Sequence, residues 1–151
     1  MAAARPPSLA PRAIEKAEAG APAASSPAPA PVRAIDAALA ARIAAAVASL
    51  RASDADFETA AKEGAATLAS GRGTATGSER WIAAQQVLSA LQAARQRSAD
   101  ALAELDSLTV AQIDANAADP TIGGIAELQA AQAEADTIVS RQTQRIDAAN
   151  P

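Results

Sequence analysis

Large apolar residues recur every three or four positions along most of this chain, and the positions between them are filled mainly by alanine. Ile35, Leu39, Ile43, Val47 and Leu50 open the pattern, and Phe57, Ala61 and Leu68 continue it. A repeat of 3.6 residues places such positions on one face of an α-helix, whereas a half-buried strand needs strict alternation. No segment sustains that alternation, so the spacing predicts an all-α protein.

Alanine sets how such a protein can pack. Of 151 residues, 48 are alanine and 27 are Met, Val, Ile, Leu, Phe or Trp. Alanine is the best helix former, but it buries little apolar area per residue. Leu, Ile, Val and Phe total 25, a low supply for this length, although the formal net charge is only −4. The expectation is a helical protein with a thin core.

Glycine and proline divide the helical part. The first helix is predicted over 34–70, with Asp54 on the stripe and a break or N-cap at "SDAD" (53–56). Gly71 and Gly73 follow it, as glycine does past helix ends. "TGSE" (76–79) fits a capping box of Thr76 with Glu79, and Ser78 is an equally suitable cap. The second helix, over 78–118, carries Trp81, Ala84, Leu88, Leu91, Arg95, Ser98, Leu102 and Leu105, with Ala94 and Ala101 as substitutes where Arg95 and Ser98 weaken the stripe. A second box-like signal, Thr109 with Gln112, allows a break near 108. "ADPTIGG" (118–124) ends this helix, and a last helix over 124–148 carries Ile125, Leu128, Ala131, Ala135, Ile138, Gln142 and Ile146. Three long helices with short connections predict an elongated, coiled-coil-like, up-down-up three-helix bundle over 34–151.

Seven of the nine prolines lie before residue 32, in an Ala/Pro-rich stretch ending "SPAPAPV". Such a segment favours extended polyproline II and cannot build a core, so residues 1–33 are expected to be a disordered tail or linker. It carries Arg5, Arg12, Lys16 and Arg33 against Glu15 and Glu18, a balance of +2, and the remainder carries nine basic and fifteen acidic residues, a balance of −6. In texture the tail resembles the linkers of envelope proteins from bacteria with GC-rich genomes. That resemblance implies a spacer holding a domain at the cell envelope or periplasm. The first residues have no apolar core of the kind a secretory signal needs, so the chain taken as written reads as cytoplasmic. "AIDAALAARIAAAVASL" (34–50) contains Asp36 and Arg42 and is mostly alanine, so direct membrane insertion is not expected.

The residue inventory argues against most enzyme chemistry. There is no Cys, His or Tyr, which removes the thiolate nucleophile and the commonest general base, metal ligand and phenolic donor. With pI ≈ 4.8, nucleic-acid binding lacks its electrostatic footing. "GRGTATG" (71–77) precedes a helix, but a phosphate-binding P-loop needs a preceding strand and a terminal GK[ST], so a turn is expected. Asp54, Asp56 and Glu58 faintly resemble a calcium loop that lacks its glycine and distal Glu, since Ala65 stands there. Glu104 and Asp106, two apart on a helix, point apart. Lys62 stands alone, and Trp81 is expected in the core near Phe57. No catalytic, cofactor-binding or metal residue is therefore assigned, and no small-molecule substrate is evident. The expected function is a non-enzymatic helical interaction or spacer protein of the envelope, acting as a homo-oligomer or with a protein partner. The alternative is a cytoplasmic adaptor, chaperone-like protein or granule coat of phasin type.

Overall fold

Asp36 starts the first helix. Its carboxylate accepts from the Ala38 N–H at 2.9 Å and the Leu39 N–H at 3.2 Å, which satisfies two of the backbone donors a helix N-terminus leaves free. In the computed structural model, which describes residues 31–149, α1 spans Ala37–Gly71, α2 Glu79–Ala118 and α3 Ile125–Ala149. Of the disordered tail expected over 1–33, residues 1–30 lie outside the described residues. Arg33, at the end of the Ala/Pro-rich stretch, donates its N–H to the Thr121 carbonyl at 2.7 Å and pairs with Asp119.

The three helices pack as an up-down-up bundle, with no strand among the described residues. Both anticipated breaks are absent. Inside α1 the Ser53 hydroxyl donates to the Ser49 carbonyl at 2.9 Å, and inside α2 that of Thr109 donates to Leu105 at 2.9 Å. Each potential cap residue thus bonds the preceding turn while the helix continues. The start of α2 is decided in favour of Ser78, whose Oγ accepts from the Trp81 N–H at 3.3 Å; Glu79 falls in the first turn and the Thr76 capping box does not form. The α1–α2 turn needs a left-handed backbone twice, at Gly73 (φ 68°) and Gly77 (φ 84°).

The core has two apolar clusters. One joins Ile43, Leu50, Leu105, Leu108, Leu128 and Ile138 from all three helices, and the other is centred on Phe57 with Leu68, Leu88 and Leu91. Alanines 46, 61, 84, 94, 101, 131 and 135 are buried among them, so the small side chain is itself core material here. On α2 the buried line runs through Ala94 and Ala101, while Arg95 and Leu102 are only half-buried. On α1 it is Ser53, not Asp54, that points inward. Trp81 is half-buried and does not reach Phe57. The antiparallel register pairs Arg97 with Asp56, so Phe57 lies level with the middle of α2 and far from its start.

Candidate functional site

α1 and α2 approach through small residues. A Cβ on Gly64 would meet Val87 Cγ1 at 2.2 Å, and one on Gly71 would meet Ala84 Cβ at 2.5 Å. α1 and α3 touch far more sparsely. Their seam is bridged by arginines, whose long side chains span a gap that alanine cannot fill.

Along this seam Arg51 holds Glu134 through Nε at 2.7 Å and Nη2 at 3.0 Å. Arg141 donates to both oxygens of Asp54 at 2.6 Å, and Arg145 pairs with Glu58. The Arg145 guanidinium also lies 5.6 Å from the centre of the Phe57 ring, covering one side of the second cluster. Arg72 donates to the Ala148 carbonyl at 3.1 Å near the far end. The hydrogen bond from Arg51 holds the Glu134 carboxyl below its ordinary range, and the same bond raises the Arg51 guanidinium.

Between the two apolar clusters lies a polar layer, with one buried residue from each helix: Ser53, Ser98 and Gln142. Gln142 Nε2 donates to Asp54 Oδ1 at 3.1 Å, while Gln142 Oε1 and Ser98 Oγ are buried without a protein partner. Towards the N-terminus of α1 the seam opens into a groove of about 370 Å³. Its walls are Ile35, Ala40, Ile43, Ala44, Val47 and Ala48, with Arg51 and Glu127 as its charged lining residues.

No protein family, curated protein or solved structure matches this chain.

The positions singled out in the sequence do not all converge. Asp54 and Glu58 both face α3, where Arg141 lies within ion-pair distance of each and Arg145 pairs with Glu58, whereas Asp56 turns to Arg97 on α2. Glu104 pairs with Arg42 of α1 at 2.6 Å and Asp106 accepts from Gln132 of α3 at 2.6 Å, on opposite flanks of α2. At the glycine turn, Thr74 donates its hydroxyl to the Gly71 carbonyl at 2.6 Å. The first turn of α2 there carries the Glu79 carboxylate, which would repel a phosphate. Lys62 is exposed and makes no ion pair among the described residues.

The arginine seam has a signature in the sequence that local spacing on one helix does not reveal. Asp54 and Glu58 are four residues apart, as are Arg141 and Arg145. In an up-down-up bundle the first and third helices run in the same direction, so two such pairs can meet in order.

Proposed function

We propose that this chain is a non-enzymatic helical interaction protein whose α1–α3 face receives a protein partner, the Ala/Pro-rich stretch acting as a spacer at the cell envelope. The observation that carries this reading is the groove at the α1 N-terminal end of the seam. It is walled by aliphatic side chains, lies open at the surface, and has opposite charges among its lining residues. A cleft of that kind suits an apolar helix face with a polar border better than a reacting small molecule. The adaptor or granule-coat alternative draws on Val110 and Ile113, exposed at 61% and 53% on α2. Two neighbouring residues make a small patch, and the seam is the larger feature.

A photo-activatable residue at Ala44, inside the groove, tests the proposal against the same residue at Ser107, on the exposed side of α2. Irradiation of cells expressing the full chain should give a discrete protein adduct from position 44 and none from 107. Adducts from 107 alone would favour the outer surface of α2. Absence of adducts from both positions would reject an interaction role.

A further inference from the structure

We infer that the occupant of the α1–α3 groove is a second copy of this chain, docked antiparallel and α1 against α1. This rests on the interaction reading above and names its partner.

The first support is the surface of α1. Between Arg42 and Arg51 the sequence IAAAVASL has no charge, and Ala41, Ala44, Ala45, Ala48 and Ala52 are all exposed. The two flanking arginines are drawn sideways, Arg42 to Glu104 on α2 and Arg51 to Glu134 on α3. Small uncharged side chains over several turns let another helix approach at the short end of the usual separation, about 8 Å. Most surface helices interrupt such a face with Lys or Glu; this one does not.

The second support is the placement of charge. Arg51 presents Nε and Nη2 to Glu134, so its Nη1 remains available for another carboxylate. Glu127 is exposed in the first turn of α3 and makes no ion pair among the described residues. α1 and α3 run parallel, with Arg51 beside Glu134 and Asp54 beside Arg141, so Glu127 stands between the levels of Ala40 and Ala44, about 10–16 Å along the axis from Arg51. A two-fold axis passing α1 between Val47 and Ala48 carries Arg51 of each copy to the level of the other copy's Ala44, within about one helical turn of its Glu127. A two-fold contact repeats every interaction, so this pairing forms twice. The two α1 helices then lie face to face, and the α3 of each copy flanks the other copy's α1 diagonally, within reach of an arginine side chain. A groove with only one sign of charge would not match itself in this way. The remaining negative charge of each chain is modest and is screened at physiological salt.

The full chain contains no cysteine, so single thiols report the contact directly. Ala48→Cys, beside the proposed axis, should oxidise readily to a covalent dimer, since a disulfide needs Cα atoms within about 7 Å. Ala66→Cys, exposed further along α1, should not. Glu127→Arg sets like charges against Arg51 of the other copy and removes no internal ion pair, so sedimentation equilibrium should show the dimer weakened about tenfold or more. Circular dichroism melts should confirm that these variants stay folded. Equal cross-linking at 48 and 66, or a Glu127→Arg dimer as tight as the parent, would overturn the inference. A parent chain that is monomeric while the Ala44 photo-adduct is to another protein would overturn self-docking and leave the interaction reading standing. A monomer with no adduct would overturn both.

Discussion

Gly64 of α1 and Val87 of α2 stand so close that a β-carbon on the glycine would lie 2.2 Å from Val87 Cγ1 and 3.3 Å from its Cβ. Val87 belongs to a helix and branches at Cβ, so it has essentially one favoured rotamer and cannot swing aside freely. Gly64→Ala gains about 1 kcal/mol of helix propensity and loses more to overpacking, so a net loss of about 1–2 kcal/mol is expected in urea unfolding. Val87→Ala on the same background should recover most of it, giving a coupling of about 1 kcal/mol or more in a double-mutant cycle. A Gly64→Ala variant more stable than the parent would mean that the helices do not approach this closely.

The polar layer makes a prediction of opposite sign. Ser98 is fully buried and its hydroxyl has no protein partner, so Ser98→Ala should stabilise the bundle by about 1 kcal/mol. Gln142→Leu removes the unpartnered Oε1 and keeps the volume, at the loss of one hydrogen bond to Asp54, which retains Arg141. Its expected effect on the unfolding midpoint is small or favourable. Gln142→Ala should instead destabilise by about 2 kcal/mol through the space it leaves. Losses of similar size for Ser98→Ala and Gln142→Ala would show that the layer is satisfied in some other way.

Helix capping gives a simpler test. Asp36→Ala removes the acceptor for two backbone N–H groups and should cost about 1 kcal/mol, while Ala37→Ser, one residue later, should not substitute for it. An unchanged melting temperature for Asp36→Ala would place the effective start of α1 elsewhere.

Stability should also fall in acid. Glu134 is held below its ordinary range chiefly by the hydrogen bond from Arg51, and Asp119 chiefly by the Thr121 hydroxyl, then by the Thr121 N–H. Lowered carboxyl groups contribute stability that is present above their unfolded values and is lost as pH falls through the folded ones. The melting temperature should therefore be level near neutrality and decline below about pH 4. Glu134→Gln and Asp119→Asn should each flatten that decline. Both groups are exposed, so the effect is modest and shrinks with added salt. A decline centred near pH 6 would implicate groups other than these.

The sequence by itself determined that the body is helical, where its helices end, and which residues are inward in broad outline. Those properties follow from local rules: the spacing of Leu50, Phe57 and Leu68, the glycines at 71–77 and the proline at 120 act within a turn or two of chain. Tertiary structure decided everything that depends on the azimuth and level of one helix against another. It chose Ala94 and Ala101 over Arg95 and Leu102, turned Ser53 inward and left Asp54 on the seam, and set Trp81 away from Phe57. In an alanine-rich helix several neighbouring faces are almost equally apolar, so the pattern alone cannot select among them; close contacts such as Gly64 with Val87 do. The same holds for the groove. Asp54 and Glu58 lie some eighty-seven residues from Arg141 and Arg145, and only the parallel course of α1 and α3 brings these charges into one seam.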